Sequence, residues 1–201
     1  MKAKISYFIA LVCFLAAGCE QRTTMIDTMN DEGKAVMALD YRDFDMAASK
    51  MVQSMLSSGA LKKDGGGRYV VATGRIVNDT TQRIDTDQLM AKIETEILNS
   101  GQAVMTSAIG SGSDQLLNET RELRDSEEFD PNTVAKRKTL IAPDLTISGK
   151  IFQRNIRYDR NTQQIEYYFQ LKLSDVKSGL RFWQDETLIG KRGSNRSVSW
   201  Q

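Results

Sequence analysis

The strictest constraint on the fold is the alternation of apolar and polar residues across residues 164–174. Successive side chains of a β-strand point to opposite faces, so this pattern predicts a strand with one buried face and one solvent-facing face. An α-helix would scatter the same residues around its whole circumference. The apolar positions are Ile165, Tyr167, Phe169, Leu171 and Leu173.

Two neighbouring segments extend this strand into an antiparallel meander. Residues 145–157 begin with a similar alternation and end at a turn formed by Tyr158, Asp159, Arg160 and Asn161. A second turn at residues 175–179 leads into a third strand at residues 180–189, which contains Trp183. Three consecutive strands joined by short turns bury one common face.

The first half of the folded region predicts a parallel crossover. Residues 68–77 form a largely apolar strand, Asp85 can cap the helix that follows, and residues 103–105 are a short third element. A strand, a capped amphipathic helix and another strand in close succession favour parallel pairing with a right-handed connection.

Three further helices complete the prediction. They begin at Asp43, at Asp114 and at the pair Asp130-Pro131, and they end near Gly59, Arg124 and Ile141. The predicted fold is therefore a single α/β domain. It has a mixed sheet of about five strands with a C-terminal antiparallel meander, flanked by about four helices.

The N-terminus carries an export signal. Residues 5–17 are 13 consecutive residues without a charge, which is too short for a membrane-spanning helix but typical of the apolar part of a signal peptide. This run ends in Ala17-Gly18-Cys19, which resembles the lipobox of bacterial lipoproteins. We therefore expect cleavage before Cys19 and attachment of lipid to the Cys19 thiol.

These signals divide the chain into three parts. Residues 1–18 are predicted to be a lipoprotein signal peptide, residues 19–39 a lipidated tether, and residues 40–201 a globular domain. Several acyl chains would hold the mature protein permanently to a membrane. Glu20, which follows the cysteine, favours the outer membrane with the domain on its periplasmic face.

Composition argues against several functional classes. The chain has no histidine, and its two cysteines are Cys13, which leaves with the signal peptide, and Cys19. Catalysis by Ser/His/Asp or Cys/His groups and most metal sites are thereby excluded. After loss of Lys2 and Lys4, 25 basic and 26 acidic residues remain, so no basic face is expected for nucleic acid. We predict no catalytic residue, no metal, no cofactor and no small-molecule substrate, with a carboxylate-pair glycan hydrolase as a remote alternative.

Three features in this order resemble one known family. They are the lipobox, the strand, turn and helix of residues 70–101, and the closing hairpin of residues 173–190, LSDVKSGLRFWQDETLIG. The chain is similar in these segments to the LpoB family of outer-membrane lipoproteins. The resemblance implies a non-enzymatic protein that binds a class A penicillin-binding protein, a bifunctional peptidoglycan synthase, and raises its activity.

The partner-binding residues are only weakly indicated. Asn78, Asp79 and Thr80 match the family's turn, although such side chains commonly bond their own backbone to hold a turn. Trp183 is either a packing residue of the sheet or an interface anchor, since tryptophan is enriched among binding hot spots. Tyr158 and Tyr168 are expected to be exposed, which makes them further candidates.

A second interpretation belongs to a different functional class. The curli-secretion lipoproteins share a related αβ domain and assemble into rings that cross the outer membrane. Membrane hairpins need about ten residues of outward apolar alternation in each strand. The two strands at residues 145–157 and 164–174 are long enough but include Arg154, Arg157 and Glu166. An assembled ring in solution would favour this structural role.

Overall fold

The structure is a computed structural model that describes residues 36–194. The predicted signal peptide, Cys19 and most of the predicted tether lie outside the described residues. Within them, no helix combines the length and the apolar character needed to cross a membrane. In chain order the elements are α1 (Tyr41–Ser57), β1 (Tyr69–Asp79), α2 (Thr86–Ser100), β2 (Ala103–Met105), α3 (Gln115–Glu122), a 3-10 turn (Leu123–Asp125), β3 (Leu145–Arg157), β4 (Thr162–Asp175) and β5 (Arg181–Ser194).

The strands form one five-stranded sheet in the order β2-β1-β3-β4-β5. β1 runs parallel to both β2 and β3, whereas β3, β4 and β5 are antiparallel. This confirms the predicted mixed sheet, its parallel β1-α2-β2 crossover and its C-terminal meander. The pairing of β1 with β3 joins the parallel part to the meander.

Helices α1 and α2 cover one face of this sheet. Asp40 caps α1, and Asp43, predicted to be the cap, instead closes a capping box three residues later by accepting the Asp40 amide. The apolar stripes of both helices meet the inward side chains of the strands in one core. Met51 and Met55 of α1 are fully buried there, where their flexible side chains fill irregular space in the core.

The fourth predicted helix is absent. Residues 130–141 form turns, in which Asp130 accepts the amides of Asn132 and Thr133. A short helix is marginal in water unless an apolar face packs against the protein. Here Leu140 and Ile141 are exposed, and no residue from 106 to 144 is buried. The capping signal is present, but the packing that would extend it into a helix is missing, so residues 36–194 contain three α-helices.

A strap, which we define as residues 36–40, lies against the domain before α1 begins. The Tyr167 hydroxyl donates to the Met37 carbonyl at 3.1 Å, and Lys191 Nζ donates to the Ala38 carbonyl at 2.7 Å. The Leu39 amide donates to Gln82 at 3.1 Å. Contacts with the folded region therefore begin a few residues upstream of residue 40. Burial raises the pKa of the Tyr167 hydroxyl to about 12, so it stays a neutral donor.

Lys191 connects the strap to α1 through an almost buried ion pair. Its Nζ lies 2.5 Å from Asp43 Oδ2 and 3.9 Å from Asp40 Oδ2. The side chains of Lys191 and Asp43 are only 10% and 9% exposed. Two charges with so little solvent depend on one another, because each is the other's main compensation for lost hydration.

Asp144 predicts a specific dependence of stability on pH. Its carboxylate accepts from Lys63 Nζ at 2.8 Å and from the Val70 amide at 2.9 Å, and these bonds, led by that from Lys63, lower its pKa below the ordinary 3.8. The carboxylate therefore stabilises the fold above pH 3.8, and this contribution is lost as the pH falls through the lower folded-state pKa. We expect Asp144→Asn to lose less free energy of unfolding than the wild type between about pH 5 and about pH 2.5.

Urea denaturation at the two pH values measures this difference. Because the substituted asparagine keeps an oxygen that can accept the Val70 amide, the comparison isolates the charge. Parallel pH profiles for the two proteins would contradict the assignment.

Candidate binding surface on the open face of the sheet

The face of β3, β4 and β5 that points away from α1 and α2 is the candidate site, which we call the open face. It follows from the period of two in the strands: the alternate positions fill the core, and the positions between them point outward. Helix α3 buries no residue and therefore does not pack on it. The outward residues are Lys150, Phe152, Arg154, Glu166, Tyr168, Gln170, Lys172, Gln184, Glu186, Leu188 and Arg192.

A central row crosses four strands of this face. The strand register places Asp79, Phe152, Tyr168 and Leu188 side by side on β1, β3, β4 and β5. The rings of Phe152 and Tyr168 are stacked with centroids 4.7 Å apart and an interplanar angle of 1°. Leu188 is 51% exposed beside them. The row therefore offers apolar surface to solvent at the middle of the sheet.

Two cations border the aromatic pair. Lys150 Nζ lies 5.7 Å from the centroid of the Phe152 ring, and the Arg154 guanidinium lies 5.5 Å from that of Tyr168. Each such contact contributes about 0.5–1 kcal/mol at an exposed site. Lys150 also forms an ion pair with Asp79 at 2.5 Å. These contacts hold long side chains in place around the rings, which reduces the entropy lost when a partner binds.

Hydrogen bonds set the charge state of the row's polar edge. The Tyr168 hydroxyl donates to Glu166 Oε2 at 2.7 Å, and Gln164 Nε2 donates to Glu166 Oε1 at 2.8 Å. The bond from Tyr168 is the main cause that lowers the pKa of Glu166, and the same bond raises the pKa of Tyr168. At neutral pH a partner therefore meets an anionic Glu166 and a neutral Tyr168.

The sequence-predicted turn residues have separate roles. Asn78 Oδ1 accepts the Thr80 amide at 3.1 Å, and Asn78 Nδ2 donates to the Gln82 carbonyl at 2.8 Å. The Thr80 hydroxyl adds a bond to Asn78 Oδ1 at 2.8 Å. Asn78 and Thr80 thus hold the turn that follows β1, whereas Asp79 belongs to the central row.

The three aromatic candidates are not brought together. Tyr168 is half-buried in the central row, and Tyr158 lies 57% exposed in the β3–β4 turn with the Arg192 guanidinium 3.8 Å from its ring centroid. Trp183 is 8% exposed and belongs to the core on the opposite face. Of the six predicted residues, the structure places only Asp79 and Tyr168 in one row.

Sequence reasoning missed Phe152, Lys150 and Leu188. The first two lie on the outward face of β3, whereas the apolar alternation that ends at Ile151 marks the inward positions. The hairpin turn between β3 and β4 decides which residues face each other. The observed pairing of Arg157 with Gln163 places Phe152 opposite Tyr168, whereas a turn limited to residues 158–161 would place it opposite Tyr167. Leu188 could not be found in the same way, because an irregularity between Leu173 and Ser174 shifts the register of β4 and β5 after their turn.

The chemistry of this face is suited to recognition. It combines an aromatic pair, an exposed leucine and fixed charges, the composition typical of the centre of a protein interface with its polar surroundings. Within residues 36–194, no group of three or more His, Cys, Asp or Glu side chains is arranged to hold a metal ion.

Comparisons with known proteins point to one family. A family model described as peptidoglycan-synthase activator LpoB matches residues 43–189. The solved LpoB C-terminal domain from Salmonella enterica is 13% identical, covers 73% of this chain and 98% of its own, and superposes with a TM-score of 0.43. For the domain from Escherichia coli the values are 14%, 73%, 98% and 0.43. No curated protein sequence matches the chain.

Proposed function

The chain belongs to the LpoB family of peptidoglycan-synthase activators, and we propose that it binds and activates a bifunctional class A penicillin-binding protein. The observation that carries this proposal is the extent of the family match. Residues 43–189 run from the first turn of α1 into β5, so the match includes the open face and the core that supports it. The chain then acts by binding and catalyses no reaction of its own.

The open face is the proposed docking surface for the synthase. Its central row offers Phe152, Tyr168 and Leu188 on a rigid sheet, and sites built on strands hold their side chains more precisely than sites on loops. The ion pair of Asp79 with Lys150 and the bond of Tyr168 to Glu166 keep these polar groups ordered before the partner arrives.

Activation requires a difference in affinity. A ligand that binds the resting and active conformations of the synthase equally well shifts neither population. The open face must therefore bind the active conformation more tightly than the resting one. A tenfold increase in activity requires about 1.4 kcal/mol of preference, which one well-packed aromatic side chain can supply.

We further propose that the domain is delivered to the periplasmic face of the outer membrane by the signal peptide at residues 1–18 and by lipid on Cys19. Residues 19–39 would form the tether and residues 40–201 the globular domain. Because the strap already contacts the domain, only the 16 residues from 20 to 35 lie between Cys19 and the strap. Fully extended, they reach about 55 Å.

The test is reconstitution of the mature lipidated chain with the class A penicillin-binding protein of the same organism in detergent. We expect saturable binding and faster glycan polymerisation. A polymerisation rate that does not change at tens of micromolar activator would overturn the proposal. Light scattering of the same sample reports whether the activator is a monomer or the ring expected of an assembly protein.

A further inference from the structure

A basic concavity lies on the open face next to the central row. Its volume is about 410 Å³, and its lining includes Val77, Lys150, Gln170, Lys172, Arg181 and Gln184. Lys150 and Gln170 are paired across β3 and β4, two register positions from Phe152 and Tyr168, which makes them the next pair on the same face. A partner that covers the central row therefore also covers the concavity.

The cationic side chains of the concavity differ in whether a carboxylate neutralises them. Lys150 is paired with Asp79 at 2.5 Å, and the Gln170 amide donates to Glu186 at 2.6 Å. Arg181 donates to the Gln184 side-chain oxygen, which carries no charge. Among residues 36–194, no carboxylate lies within ion-pair distance of Lys172 or Arg181.

This local positive charge is not a property of the whole chain. Without residues 1–18 the chain carries 25 basic and 26 acidic side chains, so it has no general attraction for anions. The surplus at Lys172 and Arg181 shares the concavity with the apolar side chain of Val77, which is 56% exposed. Apolar surface next to unpaired cations is complementary to a protein segment that carries carboxylates among apolar residues.

We propose that the concavity receives a carboxylate-bearing segment of the synthase, which pairs with Lys172 and Arg181 while the central row is covered. This inference rests on the proposed function and specifies the chemistry of the partner's surface. Gln170 and Gln184 are additional amide donors for the second carboxylate oxygen.

The test compares two charge-reversed variants of the mature lipidated chain. Lys172→Glu/Arg181→Glu changes the concavity, and the control Lys50→Glu/Lys62→Glu makes the same change of net charge at exposed positions away from it. Binding to the class A penicillin-binding protein is measured at about 50 and about 300 mM salt, because salt screens interactions between exposed charges. Circular dichroism checks that both variants are folded.

We expect the concavity variant to bind at least about tenfold more weakly than the wild type at low salt, with the control unchanged. We also expect higher salt to weaken binding of the wild type to the synthase. The difference in affinity between the wild type and the concavity variant should therefore become smaller. Equal affinities for the concavity variant and the control would overturn the inference while leaving activation intact. A wild-type chain that fails to bind the synthase at all would overturn the proposed function as well.

Discussion

Replacement of Lys191 by methionine is expected to lower the free energy of unfolding by about 3 kcal/mol. The methionine fills much of the same space, but Asp43 is then left with a nearly buried carboxylate and no counter-ion at 2.5 Å. The Ala38 carbonyl loses its donor at the same time. Removal of one partner from a buried ion pair is costly because the remaining charge stays out of water. Urea denaturation at pH 7 measures the loss.

Two further variants make this prediction specific. Lys92→Met removes an ion pair between α2 and Asp45 of α1, but those side chains are 37% and 44% exposed, so a loss below about 1 kcal/mol is expected. In Lys191→Met/Asp43→Asn the asparagine can still accept the Asp40 amide without a charge, and more than half of the stability should return. Equal losses for Lys191→Met and Lys92→Met would show that Asp43 does not depend on Lys191.

Replacement of Tyr168 by alanine is expected to weaken binding to the class A penicillin-binding protein by about 30-fold, or about 2 kcal/mol. The change removes the ring that stacks on Phe152 at 4.7 Å and releases Glu166 from its bond with the hydroxyl. An aromatic side chain at the centre of an interface carries much of the binding free energy, whereas side chains at the edge carry little. Titration of the synthase with each variant measures the dissociation constant.

Tyr168→Phe separates the ring from its hydroxyl. It keeps the stack on Phe152 and loses only the bond to Glu166, so a smaller reduction in affinity is expected. Lys92 lies on α2, on the helical side of the sheet. Lys92→Met therefore serves as a control for a small loss of stability, and we expect it to bind the synthase like the wild type. Unchanged affinity for Tyr168→Ala would place the docking surface elsewhere on the domain.

The sheet was largely predictable because its signal is local. Alternation in β4 determines which side chains are buried, and the turns on both sides determine that its neighbours are antiparallel. The register of β3 against β4 was harder to predict from the sequence. The predicted turn contained residues 158–161, but β4 begins at Thr162 and Arg157 pairs with Gln163. A shift of one residue would place Phe152 opposite the buried Tyr167 and hide the aromatic pair.

Features that depend on distant packing were not predictable. The capping signal at Asp130 is as clear as that at Asp85, yet only α2 has a core to pack against. Nothing in the sequence near Lys191 or Asp43 marks them as partners, because they are far apart in the chain and lysine and aspartate are common surface residues. The family resemblance was accessible because it depends on the order of local segments, and the match over residues 43–189 confirms it.

The strap would have a mechanical consequence if Cys19 carries the proposed lipid, because the chain would then be held at one end. A tensile force applied to the N-terminal end of the chain would act first on residues 37–39 and only then on α1. It is carried there by bonds from Tyr167 of β4 and Lys191 of β5 and by a bond to Gln82 beyond β1. The load would thus be shared among two strands of the sheet and the loop that follows β1. With the proposed tether under tension, we expect these bonds to bear the load before α1 does, so that the helix does not unwind first and the open face keeps its shape.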